Sequence, residues 1–194
     1  MKKRDRQSQR RSGYDYASPG RYFVTVCTTD RGCLFGQVAD GEMVLNDAGR
    51  MVDQVWVDIP LHYPGIGVDI VQVMPNHIHG ILVIEPVGAG PCARPNAPPE
   101  DGRPRGAAPT QVLSLSDVME RFKSLATTRY ITGVRNAGWE PFRGRLWQRN
   151  YHDRIIRNEQ ELNRIREYIR DNPTDWESDE NHPERQGSQP MRSG

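Results

Sequence analysis

The sequence predicts an α+β fold: a ferredoxin-like antiparallel sheet with its helices on one side. Three observations lead there. Segments at residues 22–28, 68–74, 77–85 and 146–156 read as strands, the first alternating with period two and rich in β-formers. Three longer segments, behind Asn46, behind Ser114 or Ser116, and behind Asn158, carry apolar residues at helical spacing after a capping residue. Their order, β-β-α-β-β-α-β-α with the first elements partly merged, suits one antiparallel sheet covered by helices.

Taken in order, residues 1–20 read as a flexible basic arm, 21–176 as the folded domain, and 177–194 as a polar tail. Tyr22 to Thr28 is the first strand. A short strand near Glu42–Leu45 leads to Asn46, the N-cap of a helix buried through Met51, Val52, Val55 and Trp56. Val68 to Met74 and His77 to Glu85 form two strands joined at Pro75-Asn76. On the second, Ile78, Leu82 and Ile84 face one way, and His77, His79, Ile81 and Val83 face the other. Residues 86–109 hold seven prolines and four glycines, a composition that reads as a disordered surface loop. The long helix that follows is buried through Val118, Phe122 and Leu125, with Arg121, Thr128 and Arg135 on its polar side. Leu146 to Ile156 is a further strand. Asn158 with Glu161 three residues later starts the last helix, and Asn172-Pro173 stops it.

A chain of 194 residues with 36% apolar and 26% charged residues fits one globular domain with tails. The net charge of +1 hides an uneven distribution. Residues 1–12 hold six basic residues against Asp5, and residues 121–157 hold nine against Glu140 and Asp153. Acidic residues gather instead at Asp175, Glu177, Asp179 and Glu180. A local basic stripe can bind phosphates on a molecule that is neutral overall. Cys27, Cys33 and Cys92 are odd in number and lack Cys-x-x-Cys spacing, which points to a reducing compartment rather than a disulfide scaffold. No apolar run follows the basic start, and none approaches the roughly 20 residues that span a membrane. The expected location is the cytoplasm, in association with the nucleoid.

The chemistry centres on Pro75-Asn76-His77-Ile78-His79 and on the helix bearing Tyr168 and Asn172. Period two puts both histidines on one face of the strand, where neutral imidazoles can hold a divalent metal. Tyr168 and Asn172, four apart, share one face of the last helix. Tyrosine is a candidate nucleophile, and an amide oxygen is a hard ligand. Two histidines and an amide, with phosphate oxygens completing the shell, suit Mg²⁺ or Mn²⁺ better than zinc. The plainer readings are a structural histidine pair and a half-buried tyrosine on the flank of the Leu162, Ile165, Ile169 stripe. Tyr151, beside His152, is the rival tyrosine; its strand position reads as packing or contacting DNA.

On these residues the chain resembles the HUH single-tyrosine transposases, and more narrowly the REP-associated tyrosine transposases of bacteria. Four stretches carry the resemblance. They are Gly13-Tyr14-Asp15-Tyr16 running into Tyr22-Phe23-Val24-Thr25-Val26-Cys27; Leu45-Asn46-Asp47-Ala48-Gly49-Arg50; Met74-Pro75-Asn76-His77-Ile78-His79-Gly80; and Pro141 to Tyr151 followed by Glu167-Tyr168-Ile169-Arg170-Asp171-Asn172-Pro173. Insertion-sequence relatives usually carry Gln where Asn172 stands. The resemblance implies the ferredoxin-like fold with the catalytic tyrosine on the last helix. It also implies a metal-dependent endonuclease and strand transferase working through a 5′-phosphotyrosine. His77, His79 and Asn172 would hold Mg²⁺ or Mn²⁺. The implied substrate is single-stranded DNA with a hairpin, a repeated extragenic palindrome, handled by a monomer, although insertion-sequence relatives are helix-exchanged dimers.

The segment from Trp139 to Arg149 interleaves aromatics with arginines, a mix that can stack bases and hold phosphates. Arg121, Lys123, Arg143, Arg145 and Arg149 are the candidate DNA-binding residues. Phe142 and Trp147 suit the core equally well. Two other functions compete. One is a domesticated nucleic-acid hairpin-binding protein without significant catalysis. The other, a replication initiator or relaxase, usually occupies a longer chain.

Overall fold

The computed structural model describes residues 17–86 and 113–188. Most of the basic arm, nearly all of the Pro/Gly-rich stretch with Cys92, and the last six residues lie outside them. The chain runs through β1 (Gly20–Cys27), the hairpin β2 (Gly36–Ala39) and β3 (Glu42–Leu45), α1 (Asp47–Val57) and the single turn α2 (Ile59–His62). It continues with β4 (Ile66–Val73), β5 (His77–Ile84), α3 (Leu115–Ala137), β6 (His152–Ile156) and α4 (Glu159–Asp171), then two 3-10 turns at Trp176–Ser178 and Pro183–Ser188.

The main sheet has the order β4-β5-β1-β6, and every neighbouring pair is antiparallel. Without the β2-β3 hairpin and α4, this is βαββαβ with the first and third strands central, the ferredoxin-like layout the sequence predicts. The helix starts follow local chemistry. Asn46 accepts from the Gly49 amide at 2.8 Å, Ser114 and Asp117 form a reciprocal capping box, and Asn158 accepts from the Glu161 amide at 2.8 Å.

One face of the sheet carries Tyr22, Val24 and Val26 of β1 and Ile78, Leu82 and Ile84 of β5 into a core with α1 and α3. Trp56 and Phe122 meet edge to face there at 5.1 Å. The expectation that all helices lie on one side is corrected for α4, which crosses the opposite face. Its stripe of Leu162, Ile165 and Ile169 packs on Ile81 and Ile156, with Phe23 and Ile70 beside them. The physical reason lies in β5: the face opposite Ile78 is also apolar beyond the two histidines, and it needs cover.

Two further differences concern β structure. The strand predicted over 146–156 forms only from His152, with Trp147 making an isolated bridge to Thr28. Gly144 turns the chain at φ 71°, and the Lys123 ammonium gathers the carbonyls of Gln148, Arg149 and Asn150, which curls the segment away from a ladder. The β2 strand was not anticipated. Its signal is Asp40-Gly41, a pair that takes positive φ at both positions and closes a tight hairpin. Among the described residues no helix is long and apolar enough to cross a membrane.

Gly80, directly after His79, lets the β5 backbone slide beneath Trp56. A Cβ there would sit 2.4 Å from Trp56 Cζ2, inside a ring that is fully buried. Gly80→Ala should therefore destabilise the fold by about 1–3 kcal/mol through overpacking. Urea unfolding checks this; an unchanged midpoint would mean the Trp56 packing yields without strain.

Candidate metal and tyrosine site

β5 delivers both histidines to the face that α4 covers. His77 and His79 are almost completely buried, and their Nε2 atoms lie 2.9 Å apart. The neighbours of His77 select its tautomer. Asn76 donates both Nδ2 protons, to the Arg31 carbonyl at 3.0 Å and the Asn181 carbonyl at 2.9 Å, so its Oδ1 faces His77 Nδ1 at 2.8 Å as an acceptor. Nδ1 of His77 therefore carries the proton, and Nε2 presents a lone pair. Thr25 Oγ1 lies 2.9 Å from His79 Nδ1. A hydroxyl can donate or accept, so His79 can turn either a proton or a lone pair toward His77.

Burial is the main reason that both imidazoles resist protonation. For His77 the Arg31 guanidinium adds to it, bringing the group down to about 3; for His79 the His77 ring adds to it. Both are neutral at pH 7, the form that binds metals.

The last helix places its two candidates against this pair. Tyr168 Oη sits 3.4 Å from His79 Nε2, and its ring meets Phe23 and His79 edge-on. The side of the ring away from the sheet is open: Tyr168 is 46% exposed. Partial burial, then the carboxylates of Asp179 and Glu180, push its phenol up to about 12. Asn172, one turn on, is buried and donates from Nδ2 to Asp179 Oδ2 at 3.2 Å. Its Oδ1 is buried with no hydrogen-bond partner among the described residues.

Asp179 was not singled out from the sequence. The segment expected as a polar tail from residue 177 folds across the site: Asp179 and Asn181 are buried, and Trp176, just ahead, lies against His77 with ring centroids 6.0 Å apart. Asp179 Oδ2 is 3.9 Å from His77 Nε2, and its Oδ1 accepts from the Asn181 amide. The sequence signal was Trp176 with Asn181 inside an acidic run, a pattern easily read as solvated.

These donors suit a divalent cation. Ligand atoms of His77, His79 and Asp179 all lie within 4.8 Å of one another, and the orphaned Asn172 Oδ1 supplies another hard oxygen. Imidazole nitrogen with carboxylate and amide oxygen is a set that Mg²⁺ or Mn²⁺ accepts.

The candidate DNA-binding residues lie elsewhere. Arg121 is exposed on α3, with its guanidinium over the Tyr63 ring at 5.1 Å. Lys123 is engaged with the three loop carbonyls, which gives it a structural role. Arg145 and Arg149 are exposed along a groove of about 430 Å³ that Lys123 also lines, and Arg143 is exposed beside them. Trp147 is buried against Phe35 and Phe122, and Phe142 packs on Tyr130, so these aromatics serve the core. None of the five basic residues lines the cavity that Tyr168 faces. That cavity, about 450 Å³, lies between α4, β1 and β6, and Tyr151 is not on its wall.

No family model matches the chain. It is similar to an uncharacterized protein of Haemophilus influenzae, 37% identical over 176 residues that span 90% of this chain and 92% of the other. Among solved structures it is similar to a REP-associated tyrosine transposase bound to a REP hairpin. The TM-score is 0.53 at 18% identity, over 88% of this chain and 74% of that one. At that identity the likeness is one of fold.

The buried imidazoles make stability depend on pH. In the unfolded chain they take up protons below about 6.5, whereas in the folded chain their affinities are depressed. The unfolded state therefore binds more protons there, and stability rises with pH. The pair's contribution is complete above about 6.5 and is lost as the pH falls toward the depressed values, by up to about 1.4 kcal/mol per group per pH unit. Urea unfolding in chelator between pH 7 and 5 should show a steeper loss in the wild type than in the His77→Gln, His79→Gln double variant. Equal slopes would contradict neutral burial of the pair.

Proposed function

We propose that this chain, which belongs to one family with the Haemophilus influenzae protein, is a metal-dependent single-strand DNA endonuclease and strand transferase. It would act on hairpins of repeated extragenic palindromes, as a REP-associated tyrosine transposase. The observation that carries the reading is the Tyr168 hydroxyl 3.4 Å from His79 Nε2, with the unpartnered oxygen of Asn172 one helical turn away.

The proposed step is an in-line displacement. Tyr168 Oη loses its proton to solvent and forms a bond to the phosphorus. The bond from phosphorus to the 3′ oxygen breaks, and that oxygen takes up a proton as a free 3′-hydroxyl. The product is a 5′-phosphotyrosine that keeps the bond energy, so attack by another 3′-hydroxyl reverses the step and joins new strands without ATP. Mg²⁺ or Mn²⁺ held by His77, His79, Asn172 and Asp179 would supply Lewis-acid polarisation of the scissile phosphate. Asn76 and Thr25 keep the imidazoles oriented, and Phe23 braces the tyrosine ring edge-on.

Arg143, Arg145 and Arg149 remain suited to the hairpin backbone, outside the chemical site, because they are exposed on one short segment. The α4 helix docks on its own sheet through Leu162, Ile165 and Ile169, which supports a site complete within one chain and hence a monomer.

Covalent trapping tests the nucleophile. Tyr168→Phe should abolish the protein–DNA adduct while leaving hairpin binding within about twofold, since only the hydroxyl is removed. Tyr151→Phe should still form the adduct. An adduct that survives in Tyr168→Phe and disappears in Tyr151→Phe would reassign the nucleophile. Hairpin binding without any adduct in the wild type would instead favour a binding protein that lacks catalysis.

A further inference from the structure

We infer that the groove between α4 and β6 is a base-binding subsite, which takes the nucleobase immediately flanking the phosphate that Tyr168 attacks. This rests on the tyrosine-nuclease reading and deepens it. The groove starts at the nucleophile. Glu161, Arg164 and Tyr168 line it from α4 at spacings of three and four, a stripe about 10 Å long. Across from them the strand register aligns the sheet. His79 pairs with Thr25 and Thr25 with His152, so the row beside Tyr168 continues to the edge strand; Phe23 pairs with Arg154 in the next row on that face. A volume of about 450 Å³ accommodates a nucleoside-sized group.

The charges decide which part of a nucleotide fits. Arg154 is paired with Glu161, which also accepts from the Arg157 amide. Asp153 and Glu180 are on the same wall, so the groove has no surplus of positive charge to attract a phosphate. A neutral, flat, hydrogen-bonding group suits it better. Phe23 offers an aromatic surface that is itself stacked on His79, with centroids 5.5 Å apart and planes at 23°. Arg164 makes no hydrogen bond or ion pair among the described residues, and its guanidinium has five donors for base-edge acceptors. Guanine, with O6 and N7 side by side, is the base that best matches such a fork.

An abasic scan tests the assignment. The probes are oligonucleotides carrying the hairpin and its cleaved flank, with one base removed at a time. Binding is measured with Tyr168→Phe protein, so that no DNA is cut, and cleavage with the wild type. Removing the base next to the scissile phosphate should weaken binding roughly tenfold, as loss of one stacked base does. Arg164→Ala, a change at an exposed position, should weaken binding to intact DNA and shrink that abasic penalty, leaving the penalties at other positions unchanged. Arg164→Lys should retain part of it. A flat scan, or the same penalty with and without Arg164, would overturn the subsite while leaving the nuclease reading intact. Failure of the wild type to bind or cut any of the oligonucleotides would overturn both.

Discussion

Two imidazoles buried side by side on one strand can stay there only if both are neutral and each has a fixed partner for its second nitrogen. That requirement organises the surrounding chain. Asn76, at the turn into β5, serves His77 only because its own amide protons are taken by the carbonyls of Arg31 and Asn181. Those two residues lie 150 positions apart in sequence, so the turn draws the segment after β1 and the C-terminal segment to one point. Thr25 serves His79 from the adjacent strand. What converges between the rings is a pair of nitrogens 2.9 Å apart beside an amide oxygen with no partner among the described residues, an arrangement that a cation would relieve.

The second requirement is a helix rigid enough to hold a tyrosine against that pair. α4 meets it with little apolar material: three residues of a strongly polar helix reach the sheet. The ends do the rest. Asn158 caps the first turn, Glu161 accepts from the Arg157 amide and from Arg154, and Pro173 ends the helix just after Asn172. Arg166 adds a link from the flank of α4 to Asp69 on β4, with both side chains largely covered. Tyr168 is thus held by its ring contacts on one side and exposed on the other.

Much of this was legible in the sequence because it depends on short-range periodicity. The period of two put His77 and His79 on one face, and the spacing of four put Tyr168 with Asn172; the fold brings the two pairs together. The caps at Asn46, at Ser114 or Ser116, and at Asn158 marked helix starts for the same reason, and the structure selects Ser114. What escaped was long-range. Nothing local says that residues 176–181 return to cover His77, because Asp179 in an acidic run has the composition of a solvated tail. The side of the sheet that α4 takes was hidden too: Ile81 and Val83 were visible on the histidine face, but a strand buried on both faces is recognised only once its partners are known. Lys123 looked like a phosphate ligand, yet curled backbone supplies its acceptors, and no spacing rule reports that.

The proposed divalent cation site joins the buried histidine pair to Asn172 of the tyrosine helix. Calorimetric titration of Mn²⁺ into chelator-treated protein without DNA reads that site in isolation. One ion per chain should bind to the wild type and to Tyr168→Phe, binding should vanish in His79→Ala, and it should weaken in Asn172→Ala. Binding that is absent from the folded wild type, or equal in all four proteins, would rule that site out.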